Sequence, residues 1–174
     1  MSVLVDKNTR LCVQGITGSV GGFHARQCME YGTKIVSGVT PGKGGQKFDD
    51  KVPVFDTVWE ARQATNCNVS VIFVPAAGAA DGILEAVDAG VELVICITEG
   101  IPVMDMMRVK AEMIGKKSQL IGRNSPVVIH PGQRPIGTRA GHLPKPGTVR
   151  GIPPQRPLTS AACVQPHPRP LPRR

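Results

Sequence analysis

A chain of 174 residues, 41% hydrophobic and 20% charged, is long enough to bury one sizeable core and lies outside the compositions of disordered, collagen-like and disulfide-rich chains. The net charge of +8 is unevenly placed: all 13 acidic residues fall in 1–112 beside 10 Lys and Arg, whereas 113–174 hold 11 Lys and Arg and no acid. That basic end has no Phe, Tyr or Trp on which a base could stack, which argues against a specific nucleic-acid binder, and no apolar run is long enough for a membrane span.

In chain order, "RLCVQ" predicts a first strand over 10–14, which breaks into Gly15, Gly18 and Gly21 with hydroxyls at Thr17 and Ser19 and then opens a helix. Backbone N–H groups at such a helix start favour an anion by about 0.5–2 kcal/mol. The other reading is a tight strand-to-helix turn with no ligand. "KIVSGV" predicts a second strand over 34–39, running into "VTPGKGGQ", where Lys43 brings a cation beside the first loop, or else is a solvated loop lysine. Thr57 and Glu60 form a capping box ahead of "VWEARQAT". Strands over 68–74, 92–98 and 119–122 alternate with helix patterns over 79–89, stopping at Gly90, and 104–114, stopping at Gly115. Such alternation predicts an α/β fold: a Rossmann-like, doubly wound parallel sheet in three αβα layers.

The glycine spacing is G-x-x-G-x-x-G, and no acid lies between Glu30 and Asp49, where a dinucleotide site of the NAD type wants a ribose-binding carboxylate. The five cysteines, Cys12, Cys28, Cys67, Cys96 and Cys163, are odd in number and form no C-x-x-C pair. They read as reduced residues of a cytoplasmic protein, and no metal site is assigned. The start, "MSVLVDKNTR", lacks the charged and apolar regions of an export signal.

"LVDKNTRLCVQGITGSVGGFHARQCMEYGTKIVSGVTPGKGGQ", "VIFVPA", "ITEGIP" followed by "DMMRVK", and "AGHLPKPG" together resemble the N-terminal, CoA-binding domain of the alpha subunit of succinyl-CoA synthetase (succinate–CoA ligase) over about residues 2–149. The resemblance implies that coenzyme A is bound by Thr17, Gly18, Ser19, Val20 and Lys43, with Ile97, Thr98 and Glu99 completing the pocket. Glu99 also has a plainer reading, as a partner for nearby helix dipoles. The family joins succinate to CoA in the citric acid cycle, in ADP- or GDP-forming versions, through succinyl phosphate and a phosphohistidine. That histidine sits in a second alpha-subunit domain, and the beta subunit binds the nucleotide. His24, His130, His142 and His167 match none of that motif, so no catalytic residue is assigned and a chain truncated before that domain is expected to be inactive alone.

Departures gather toward the end. Where the family has "GPNCPG" the chain has "GRNSPV" at 122–127, and Arg123, Ser125 and Val127 are expected to strain or reshape the turn, Val127 most of all, because β-branching is costly at positive φ. Arg134, Pro135 and Arg139 depart further. After Val149 the resemblance is expected to stop, since 150–174 hold seven prolines and five arginines with no periodicity. The organisation expected is a CoA-binding domain over 1–125, a connection toward a missing second domain over 126–149, and a disordered Pro/Arg-rich tail over 150–174. A reading-frame change would explain the tail; a polyproline II docking segment, on a stand-alone CoA- or nucleotide-binding module, is the rival.

Overall fold

The computed structural model describes residues 8–122, 127–128 and 136–137. Along the chain run β1 (Leu11–Gln14), α1 (Ser19–Glu30), β2 (Ile35–Val39), β3 (Lys47–Phe48), β4 (Val52–Phe55), α2 (Val58–Thr65), β5 (Val69–Ile72), α3 (Ala76–Asp88), β6 (Leu93–Cys96), α4 (Val103–Glu112), β7 (Gln119–Ile121), β8 (Val127–Val128) and β9 (Ile136–Gly137). The first seven strands form one sheet in the order β3-β4-β2-β1-β5-β6-β7, parallel throughout except for β3. From β1 the chain steps one way to β2 and later returns to the other side as β5. The topological switch point, where open α/β sheets leave a crevice for ligands, is therefore beside β1.

The sheet is buried on both faces because its strands are apolar at consecutive positions. Leu11, Val13, Val69, Val71, Leu93 and Ile95 point toward α1, where Ala25 meets them. Their neighbours Cys12, Ile72, Val94 and Cys96 point the other way, against Ala61 of α2, Ile83 and Val87 of α3, and Val109 of α4. The three αβα layers are thus uneven, with one long helix on one face and three on the other.

Two strands differ from the sequence expectation. No helix connects β2 to β4; the short antiparallel β3 stands there instead, pairing Lys47 with Pro53 and Phe48 with Val52. Pro53 lacks an N–H, and β4 meets β2 only through Val54 and Phe55, so "KVPVFD" gives little strand signal. Helix α3 also starts at Ala76, ahead of the apolar pattern over 79–89, because Pro75 ends the extended segment at its N-cap.

Val127 corrects another expectation. It lies in β8, opposite Gly137 of β9, in extended backbone where a β-branched residue is well suited. Ile136 of β9 is fully buried in the α1-side core. Arg123, Ser125, Arg134, Pro135, Arg139, Cys163 and the whole of 150–174 lie outside the described residues. Cys12, Cys28, Cys67 and Cys96 are all buried. Among the described residues no helix is long and apolar enough to cross a membrane.

Candidate functional site

Beyond the carboxyl ends of β1, β2 and β5 lies a cavity of about 600 Å³. The turn after β1 forms its rim. Gly15 donates its N–H to the Val39 carbonyl at 2.8 Å and turns the chain at φ +79°, which glycine alone adopts freely. Gly18 is the N-cap of α1, with no side chain to cap the helix, so the first N–H groups stay open to a ligand. Gly21 allows α1 to press on its own loop: a Cβ there would stand 2.2 Å from the Gly15 carbonyl oxygen.

The second rim follows β2. Thr17 donates through Oγ1 to Thr40 Oγ1 at 3.2 Å, and Thr40 in turn donates to the Val39 carbonyl at 2.8 Å, so the two loops are tied by hydroxyls. The turn carrying Lys43 is closed by Lys43 N–H to the Thr40 carbonyl at 3.1 Å, while Gly44 N–H is held by Asp56 Oδ1 at 2.9 Å. Thr17, Gly18 and Lys43 all line the cavity. Ser19 and Val20 stand in the first turn of α1, Val20 exposed, and neither lines it.

Ile97, Thr98 and Glu99 follow β6 and also lie outside the lining. Ile97 packs on the α1-side core, and Thr98 Oγ1 donates to the carbonyl of Val74 at 2.6 Å. Val74 is a lining residue, so the turn after β6 is latched to the cavity wall rather than forming it. The same hydroxyl and the Thr98 backbone offset part of the rise that burial imposes on the Cys96 thiol pKa.

The remaining wall was not singled out from the sequence. Phe73, Val74 and Pro75 supply apolar surface after β5, and Gly78, Asp81, Gly82 and Glu85 come from α3. Gln14, the last residue of β1, lines the floor although it is 2% exposed. The small-residue run "VPAAGAADG" after a predicted strand was the available signal, since a helix that approaches a ligand closely needs such residues. His24 of α1 stacks on Phe73 from the other side, with ring centroids 5.5 Å apart. Its Nδ1 is buried without a partner, and burial holds its pKa below the usual imidazole value, partly offset by a hydrogen bond with Gln27.

The end of β2 supplies no carboxylate of its own: Thr40 offers only a hydroxyl, Asp56 is held by Gly44 N–H outside the lining, and the acids of the lining, Asp81 and Glu85, belong to α3. The family model described as "CoA binding domain" matches residues 6–100, more than half the chain and every residue of the cavity. The chain belongs to the CoA-binding domain family. This CoA-binding domain is 53% identical over 167 residues to the succinate–CoA ligase (ADP-forming) alpha subunit of Aquifex aeolicus, covering 95% of the chain and 54% of that protein. It is equally 53% identical over 165 residues to the namesake subunit of Staphylococcus aureus, again covering 95% and 54%. The chain thus spans about half the length of these curated relatives. An aligned length of 167 residues also carries the similarity past Val149, where the tail's composition led us to expect its end.

Among solved structures, the ATP citrate lyase of Methanothrix soehngenii superposes with a TM-score of 0.63 at 23% identity, over 78% of this chain and 24% of that one. A dinucleotide-forming acetyl-coenzyme A synthetase of Ca. Korarchaeum cryptofilum gives 0.57 at 18%, over 67% and 26%. Both share the Rossmann-like fold.

Proposed function

We propose that the cavity binds coenzyme A, and that the chain is the CoA-binding part of a succinate–CoA ligase alpha subunit working with a beta subunit. The observation that carries this reading is the pairing, on one rim, of an uncapped glycine loop and Lys43, with no carboxylate supplied by the end of β2. Open N–H groups and an ammonium suit a phosphorylated ligand, and the missing acid disfavours the ribose diol of NAD. Thr17, Gly18, Ser19 and Val20 then surround the phosphates with backbone N–H groups and hydroxyls. Lys43 pairs with a phosphate, and Ile97, Thr98 and Glu99 flank the thiol-bearing arm as it leaves the cavity.

In this role the chain's residues hold and orient CoA, while the phosphoryl-carrying histidine and the nucleotide site belong to other parts of the enzyme. Titration calorimetry with CoA and with NAD is the test. CoA should bind the more tightly, and Lys43→Ala should weaken it by about 1–3 kcal/mol, the range for a charged hydrogen bond. Equal binding of NAD would overturn the reading. Labelled nucleoside triphosphate should leave no acid-labile phosphate on His24, His130, His142 or His167.

A further inference from the structure

Gln14 is the polar end of an otherwise apolar strand, yet its side chain is almost wholly enclosed. Its amide nitrogen donates twice, to Ser70 Oγ on β5 at 3.0 Å and to the Gly82 carbonyl on α3 at 2.9 Å. The second bond fixes which end of the amide is which, because a backbone carbonyl can only accept. Both amide hydrogens are thereby used inside the protein. The carbonyl oxygen, Oε1, receives no hydrogen bond from any described residue. It lies over α3 where only glycine leaves room: a Cβ on Gly82 would stand 2.6 Å from it. Gln14 and Gly82 both line the cavity, so a fixed, unused acceptor is what Gln14 offers a ligand there.

We infer that Gln14 Oε1 accepts a hydrogen bond from the exocyclic 6-amino group of an adenine ring, making Gln14 the residue that selects the base. The inference rests on the reading of the cavity as a CoA site. Charge orients the ligand. Asp81 and Glu85 on the α3 wall repel phosphates, which leaves them to Lys43 and the Gly18 rim and sends an uncharged part toward α3. Phe73, Val74 and Pro75, which lead into α3, give that end apolar walls suited to a flat heterocycle. An amino group satisfies the waiting oxygen, whereas a 6-keto purine would set oxygen against oxygen.

The test compares three ligands by calorimetry on the full chain: CoA, its hypoxanthine analogue (deamino-CoA), and 4′-phosphopantetheine, which lacks the base. Wild-type protein should bind CoA about tenfold more tightly than deamino-CoA, the scale of one buried acceptor left unpaired. Gln14→Met should remove that preference while leaving phosphopantetheine unchanged. Equal affinity of the wild type for CoA and deamino-CoA would overturn the assignment, even if Gln14→Met fails to fold. A loss of phosphopantetheine binding in Gln14→Met would also overturn it, by moving the donor to a pantetheine amide. No binding of CoA itself is a different result, and would overturn the CoA reading along with the role of Gln14.

Discussion

At the scale of single residues, Gly21 sets two effects of known size against each other. Alanine is the better helix former by about 1 kcal/mol, so Gly21→Ala should stabilise an isolated helix. Here the new methyl, fixed rigidly to the helix Cα, would overlap the Gly15 carbonyl oxygen, a backbone atom that cannot rotate away as a flexible side chain would. Overpacking of this kind costs about 1–3 kcal/mol or more, so the substitution should lower the urea midpoint and, by displacing the loop, weaken CoA binding. His24 gives a pH effect. Burial lowers its pKa in the folded state, so the unfolded chain holds the proton more tightly. The stability supplied by the neutral ring is complete above the ordinary value of 6.5 and declines as pH falls below it. Denaturation at about pH 7.5 and pH 5 should show that decline in wild type, and a smaller one in His24→Asn. Thr17 and Lys43 were legible because glycines and a proline punctuate the chain beside them. Gln14 was not, since its partners Ser70 and Gly82 stand 56 and 68 residues away and no local pattern records them.

At the scale of elements, β1, β2, β5 and β6 were legible because strands buried on two faces read as continuous apolar runs, and β7, at the sheet edge, from the short run "QLIG". The β3–β4 pair was not: β3 is two residues long, and its partner contains Pro53. Helix α2 was half legible. One arm of the expected capping box is present, with Thr57 Oγ1 accepting from Glu60 N–H at 3.2 Å. A second donor at that end, Val58 N–H, finds Glu85 Oε1 of α3 at 2.8 Å, a partner no local motif announces. Thr57→Ala should cost about 1 kcal/mol in chemical denaturation. Glu85→Ala should cost as much or more, because it leaves the N–H of fully buried Val58 unpaired, and Glu85→Gln, which keeps an acceptor, should cost less.

At the scale of the whole molecule, the cavity is assembled from three loops and one helix that only the completed sheet brings together, so a ligand there should bind the folded chain alone. CoA at a hundred times its dissociation constant should add about 2.7 kcal/mol to the unfolding free energy, raising Tm by roughly 5–10 °C. NAD at the same concentration should raise it less, and a thermal melt checks both. The tie between Glu85 and Val58 has an optical consequence. Glu85 lines the cavity, and the residue after Val58 is Trp59, the single tryptophan of the chain, exposed on the first turn of α2. A ligand that draws Glu85 toward itself loosens that turn, and the indole's fluorescence should change in wavelength or intensity as the cavity fills. The chain thus carries its own dye, whose signal Glu85→Ala should silence.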